Sequence, residues 1–155
     1  DNAEVTIASR TQARVQIGQA QYESGNLDAA LTTFQSVEND FKNEFGAESQ
    51  LMNGTIYLDQ GTALKEAGQT EAANTRLKEV ATATKYMANN YPTFNYLKAK
   101  MFYVLAEAYY QRGKVFQAKG TLGSLISEDR YPDIQEQARK RLAEIEAEEA
   151  ANDNG

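Results

Sequence analysis

The sequence predicts an all-α fold in which about seven antiparallel helices stack as an α-solenoid, with three helix pairs followed by a capping helix. Apolar residues recur at helical spacing almost throughout the 155 residues, and the alternation typical of β-strands is nearly absent. One short helix break occurs three times, centred on Gly25, Gly68 and Gly113, which lie 43 and then 45 residues apart. An internal repeat of this length, built from two helices, is typical of an α-solenoid.

The first predicted helix pair occupies residues 4–43. Its first helix is expected over about Glu4–Glu23 and ends at the break around Gly25. Glycine suits the left-handed backbone conformation that often follows a helix. The second helix is expected to begin at Leu27 and to end near Lys42.

The second predicted pair occupies residues 48–90. Its first helix is expected over about Glu48–Glu66 and stops before Gly68. Thr70 is predicted to cap the next helix, because its hydroxyl can accept a hydrogen bond from a free N–H of the first turn. That helix is expected to reach Asn90, just before the Tyr91-Pro92 pair.

The third predicted pair occupies residues 94–128, and a capping helix follows over residues 132–150. The pair consists of helices over about Phe94–Gln111 and Val115–Ser127, separated by Gly113. Pro132 opens the last helix, where its missing N–H costs little. One apolar stripe and otherwise charged faces on this helix suit the shielded end of a stack. We interpret residues 1–155 as a single domain and, from its polar ends, as part of a longer chain.

Composition argues against several classes of function. The chain has no cysteine and no histidine, so thiolate, haem and serine–histidine sites are not expected. Its net charge is −6, and no concentrated cationic face is evident for nucleic acid. No apolar run is long enough for a membrane span. We find no phosphate-binding loop or calcium loop, and we therefore expect no enzyme activity, no cofactor and no metal.

The residues at equivalent positions of the three units resemble the tetratricopeptide repeat. That motif places small residues where the paired helices approach and large apolar residues between them. The third unit matches best, the first departs at Arg14 and Gln21, and the second departs at Gln60. The matching residues are Phe102, Leu105, Ala106, Tyr109, Ala118, Leu122 and Pro132 in the third unit, Ile17, Gly18, Ala30 and Phe34 in the first, and Tyr57, Gly61, Leu64, Ala73 and Leu77 in the second.

The resemblance implies a right-handed superhelix whose first helices line a concave face that binds a protein or peptide. Tyr96, Tyr103 and Tyr110 are spaced by seven residues and share one helix face, so a tyrosine ladder is one hypothesis. The alternative is that these rings pack against the neighbouring repeat, and it carries more weight because most aromatics at helical spacing are core. The residues implied for partner binding are Gln19, Tyr22, Leu58, Thr62, Lys65, Tyr96, Lys100, Tyr103, Glu107 and Tyr110.

Three functional hypotheses follow. The leading one is a non-catalytic protein-binding scaffold, and the second is a structural spacer or self-association module within a longer envelope-associated chain. An enzyme is the third, and the lack of a convergent catalytic set argues against it. Residues 96–126 resemble the C-terminal repeats of tetratricopeptide proteins from Bacteroidetes-type bacteria, which favours the periplasm or cell envelope over the cytoplasm. The oligomeric state stays open and is compatible with a monomer.

Overall fold

A computed structural model describes all residues from Asp1 to Gly155 and contains seven helices and no strand. This confirms the predicted all-α repeat fold. The helices are α1 (Asn2–Glu23), α2 (Leu27–Asp40), α3 (Glu44–Glu66), α4 (Thr70–Asn90), α5 (Asn95–Gln111), α6 (Val115–Ser127) and α7 (Pro132–Asp153). Pro132 occupies the first turn of α7, as the sequence predicts.

Several helix ends differ from the predicted ones. Helix α3 begins four residues early, because the side chain of Asn43 accepts hydrogen bonds from the N–H groups of Phe45 and Gly46 at 3.0 and 3.3 Å. The prediction that Thr70 caps α4 is wrong. Thr70 is the first residue of the helix, and Gln69 precedes it without a side-chain cap. Helix α7 continues to Asp153, beyond the predicted end at Ala150.

The three glycine breaks have one geometry. Gly25, Gly68 and Gly113 adopt φ angles of +82°, +78° and +75°, a backbone conformation that costs other residues free energy. At the first break, the N–H of Gly25 donates to the carbonyl of Tyr22, and the next N–H donates to the carbonyl of Gln21. The same pair of hydrogen bonds occurs at the other two breaks. These bonds satisfy the last carbonyls of each helix and turn the chain into the next one.

The helices stack so that the first helices of successive pairs lie together. Helix α3 contacts α1 and α5, and α5 also contacts α7. The second helices are spread apart, because no Cα atom of α2 lies within 8 Å of α4, and none of α4 lies within 8 Å of α6. Helix α7 packs against α6 and α5 as α3 packs against α2 and α1. It therefore occupies the position of a first helix at the end of the stack.

A small residue on the first helix of each pair faces a large apolar residue on the second. A Cβ atom placed on Gly18 would lie 2.9 Å from the ring of Phe34, and one placed on Gly61 would lie 2.6 Å from the side chain of Leu77. In the third pair, Ala106 of α5 belongs to the same buried cluster as Leu122 of α6. The large residues Phe34, Leu77 and Leu122 are all at most 1% exposed. This close packing confirms the predicted role of these positions.

We expect Gly61→Ala to lower the free energy of unfolding by about 1 kcal/mol, because overpacking against Leu77 outweighs the better helix propensity of alanine. Urea denaturation measures this. Gly120→Ala is the matched control, since nothing lies within 4 Å of a Cβ at that helical position. The free energy of unfolding of the control is expected to rise by about 0.5–1 kcal/mol, because alanine is favoured over glycine within a helix. A Gly61→Ala protein as stable as the Gly120→Ala protein would contradict the proposed close approach.

Candidate binding surfaces

The ten residues predicted to bind a partner all lie on α1, α3 or α5, on the side of the stack that we call the first-helix face. Three are exposed, and these are Lys65, Tyr96 and Lys100. The other seven are half-buried, and these are Gln19, Tyr22, Leu58, Thr62, Tyr103, Glu107 and Tyr110. Four of the ten, Tyr22, Lys65, Tyr96 and Glu107, hydrogen-bond to the next first helix along the stack.

Tyr22 joins α1 to α3. Its hydroxyl donates a hydrogen bond to Oδ2 of Asp59 at 2.5 Å. Burial, together with this hydrogen bond and the negative charge of Asp59, raises the pKa of Tyr22 to about 12. Gln19 makes a more local contact, a 3.1 Å hydrogen bond to Glu23 on the same helix. Tyr22 is therefore a link between repeats as well as a surface residue.

Lys65 joins α3 to α5. Its Nζ donates to the main-chain carbonyl of Gln111 at 2.7 Å. Gln111 is the last residue of α5, where carbonyls lack an intrahelical partner and the helix dipole favours a cation. On the same helix as Lys65, Leu58 packs against the apolar cluster that α4 and α5 share.

Tyr96 joins α5 to the start of α7. Its hydroxyl donates to Oδ2 of Asp133 at 2.5 Å, and its ring packs edge-on against Tyr131 with centroids 5.2 Å apart. The hydrogen bond raises the pKa of Tyr96 and lowers the pKa of Asp133. The Nζ of Lys100 lies 4.8 Å from the centre of the Tyr96 ring, within cation–π range.

Arg141 of α7 forms a second set of contacts between α5 and α7, separate from the contact made by Tyr96. Its guanidinium forms an ion pair with Glu107 and a 3.1 Å ion pair with Glu144. It also lies 4.8 Å from the ring centre of Tyr110. Tyr103 packs against the cluster shared by α5, α6 and α7, and burial raises its pKa, with a further contribution from Glu107. The tyrosines thus pack against the neighbouring helix and remain partly exposed.

A shallow groove of about 330 Å³ lies on the first-helix face between α5 and α7. Its lining combines one aromatic ring with charged and amide side chains of α7, and the residues are Tyr103, Gln137, Lys140, Arg141 and Glu144. Lys140 is exposed and forms no ion pair within the chain. The groove can therefore offer a ring and a free ammonium group to a ligand.

Comparison with known protein families separates this helical stack from other all-α arrangements. The family model described as tetratricopeptide repeat matches residues 12–43 and residues 101–133. These two segments are similar to tetratricopeptide repeats. They cover most of the first helix pair and most of the third, together with the glycine break of each. No curated protein and no solved structure matches the chain significantly.

The side of the repeats opposite the first-helix face carries a second groove, which the sequence analysis missed. It measures about 480 Å³ and runs along α5 and α6. Phe102, which matches the motif in the third unit, lines this groove and is 40% exposed. Tyr109 and Leu125 extend the apolar lining, and Lys98 lies near one edge. Helical periodicity alone could not reveal the groove, because the distance between α4 and α6 decides whether Phe102 is covered.

Two further observations concern membranes and metal ions. No helix is both long enough and apolar enough to cross a membrane. No group of three or more histidine, cysteine, aspartate or glutamate side chains is placed to hold a metal ion.

We expect the Tyr22–Asp59 link between the first two repeat units to weaken at high pH. The pKa of Tyr22 is raised to about 12 in the folded chain and is near 10 when unfolded. Its contribution to stability is therefore complete below pH 10 and is lost as the pH rises towards 12. Tyr22→Phe should be less stable than the parent at pH 7, by about 1 kcal/mol for a lost hydrogen bond.

Thermal denaturation of both proteins between pH 7 and pH 12 measures this difference, which should shrink above pH 10. Tyr109→Phe is the control, since the hydroxyl of Tyr109 forms no hydrogen bond to a carboxylate in the chain. A difference between parent and Tyr22→Phe that stays constant up to pH 12 would contradict the link.

Proposed function

We propose that this chain is a non-catalytic scaffold that binds a peptide or protein segment on its first-helix face. Tetratricopeptide repeats generally mediate protein–protein interactions. The supporting observation is the set of side-chain links between successive first helices, in which Tyr22, Lys65, Tyr96 and Arg141 take part. A surface whose side chains are already held in place loses less conformational entropy when a partner binds.

The composition of this face suits a polypeptide ligand. Tyr103 and Tyr110 offer rigid apolar area with a polar end, a combination common in protein interfaces. The exposed ammonium groups of Lys100 and Lys140 can attract carboxylates of a partner. We therefore propose a segment with acidic and apolar side chains as the ligand, in an extended or a helical conformation.

The absence of catalysis is part of this proposal. The side chains with shifted pKa values on the first-helix face are Glu48, three tyrosines, Asp133 and Arg141, and most of them, though not Glu48, bond across a helix–helix junction. A catalytic site needs a nucleophile or base, an orienting group and room for a substrate at one place. The links between first helices use these groups to hold repeats together, which supports a binding role.

We expect peptides selected from a random phage-displayed library to bind the first-helix face. Lys140→Glu should weaken their binding at least about tenfold, because a favourable charge contact worth about 1.4 kcal/mol or more becomes repulsive. Fluorescence anisotropy with the selected peptides measures the dissociation constants. Lys78→Glu is the matched control. It makes the same change of charge, but Lys78 is exposed on α4, away from the first-helix face. Equal loss of binding in both variants would contradict the proposed site.

A second proposal is self-association or packing against further repeats within a longer envelope-associated chain. It is favoured by the exposed apolar side chains of α1, since Val5, Ile7 and Ile17 are 64%, 51% and 55% exposed. The resemblance of residues 96–126 to C-terminal repeats of Bacteroidetes-type proteins supports a longer parent chain and a periplasmic location. Isolated apolar side chains are common on monomers, so this proposal ranks second.

If α1 mediates self-association, light scattering should report a mass above 17.2 kDa that falls to the monomer value in Ile17→Glu. Phe116→Glu is the control, because Phe116 is exposed on α6, at a distance from α1 along the stack. If the unmutated protein remains monomeric at high concentration, that result would argue against self-association and leave the scaffold proposal intact.

A further inference from the structure

A polar pocket of about 340 Å³ lies between α2 and α4, with α3 as its floor, and we call it the outer pocket. It lies on the side of the stack away from the first-helix face. The pocket exists because α2 and α4 are spread apart over α3, so that one side of α3 is left uncovered between them. Its lining residues are Gln35, Glu38, Asn39, Gln50, Asn53, Tyr57, Glu79, Thr82, Ala83 and Tyr86.

The floor of the outer pocket contains a buried hydrogen-bond acceptor without a partner. Asn53 is only 4% exposed, and its Nδ2 donates to Oε1 of Gln50 at 3.1 Å. Gln50 in turn donates to the carbonyl of Ala83 at 3.1 Å. These two bonds fix the orientation of the Asn53 amide and leave its Oδ1 without a hydrogen bond. A buried unpaired acceptor costs about 1–3 kcal/mol, so a ligand that donates to Oδ1 would recover that free energy.

The walls of the outer pocket contain two carboxylates, those of Glu38 and Glu79. Glu38 is 5% exposed, and its Oε1 accepts hydrogen bonds from Tyr91 at 2.8 Å and from Lys42. No bond within the chain engages Oε2 of this carboxylate. Glu79 lines the opposite side and forms no ion pair. Three acceptor groups therefore surround one cavity, and none of the lining residues carries a positive charge.

The rim of the pocket already binds cations of the chain itself. Lys42 donates to the hydroxyl of Tyr86 at 2.6 Å, and its Nζ lies 5.2 Å from the centre of the Tyr86 ring. Arg76 lies 5.6 Å from the centre of the Tyr57 ring. Both contacts have the geometry of cation–π interactions. The same two rings line the cavity, so its surroundings are suited to positively charged groups.

The equivalent place in the next repeat has a different chemistry. Gln50, Asn53 and Tyr57 correspond to Asn95, Lys98 and Phe102, each 45 residues later, and all three later residues line the apolar groove along α5 and α6. A lysine thus replaces the asparagine with the unpaired oxygen. The acceptor character of the outer pocket is therefore a property of this pair of repeats and does not follow from the fold alone.

We propose that the outer pocket binds the guanidinium group of an arginine side chain from a partner polypeptide. A guanidinium has five N–H donors in one plane and no acceptor, so it can donate to more than one of the acceptors that line the pocket, Asn53, Glu38 and Glu79. It is also weakly hydrated and stacks on aromatic rings, here those of Tyr57 and Tyr86. An ammonium group has three donors around one nitrogen and reaches fewer of these acceptors. This site is independent of the proposed first-helix face.

The test is a titration of the whole chain with N-acetyl-arginine methylamide, followed by NMR of the side-chain amides of Gln50 and Asn53. We expect saturable shifts of these two signals with a millimolar dissociation constant. N-acetyl-citrulline methylamide, which has nearly the same shape without the charge, should bind at least about tenfold more weakly, a difference of about 1.4 kcal/mol. N-acetyl-lysine methylamide should also bind more weakly. If either analogue binds as tightly as the arginine probe, the assignment to a guanidinium is overturned.

Two variants locate the site. Glu79→Gln, on a half-buried helix position, should weaken binding of the arginine probe about tenfold while leaving the rest of the amide spectrum unchanged. Asn53→Leu should abolish the binding and leave the melting temperature nearly unchanged, because it removes the unpaired Oδ1 but also removes the donor to Oε1 of Gln50. Glu128→Gln is the control, since it makes the same change of charge in the other groove. Binding that survives both pocket variants would place the probe elsewhere and refute the proposal.

Discussion

Within each repeat, a glycine or alanine on the first helix lies against a large apolar side chain of the second helix. The contact of Gly18 with the Phe34 ring and that of Gly61 with Leu77 leave no room for a further methyl group without movement. Close approach of this kind lets two helices share one buried layer, which neither could form alone. The left-handed glycines at the breaks then return the chain so that the next pair repeats the contact.

The stack has two unlike sides, and the candidate sites follow from that difference. On one side the first helices contact each other, and tyrosine, lysine and arginine side chains bond from one helix to the next. On the other side the second helices are separated, which leaves parts of α3 and α5 uncovered. Where the uncovered residues are Asn53 and Tyr57, a polar pocket results, and where they are Lys98 and Phe102, a more apolar groove results. One backbone arrangement therefore presents two surfaces with different chemistry.

The sequence predicts the elements of this fold well because the relevant signals are local. Glycine conformation, helical spacing and the proline at the start of α7 depend on a few neighbouring residues, and the structure agrees with all three. The helix ends that differ from the prediction, such as the start of α4 at Thr70, depend on which residue is the first to adopt the helical conformation.

The contacts of Arg14, by contrast, depend on residues that are distant in the sequence. This arginine replaces the aromatic of the motif, and its guanidinium pairs with Asp40 at 2.6 Å and lies 5.6 Å from the centre of the Phe41 ring.

The candidate sites were predicted only in part, and the reason is distance along the chain. Tyr22 and Asp59 are 37 residues apart, as are Tyr96 and Asp133, and only the offset between successive helix pairs brings such partners together. The sequence places the tyrosines on one helix face but does not show that each bonds to the following helix. The outer pocket was not foreseen, since its lining comes from three helices and its defining feature is a missing hydrogen-bond partner at Asn53.

The repeated contact between small and large residues is the centre of this account, and nuclear Overhauser effects between side chains test it most directly. In a uniformly labelled, protonated sample, we expect strong cross-peaks from the Gly18 Hα protons to the Phe34 ring, from the Gly61 Hα protons to the Leu77 methyls, and from the Ala106 methyl to Leu122. No cross-peaks should connect α2 with α6. Absence of the first three, or contacts between α2 and α6 as in a closed bundle, would contradict the stacked-repeat structure.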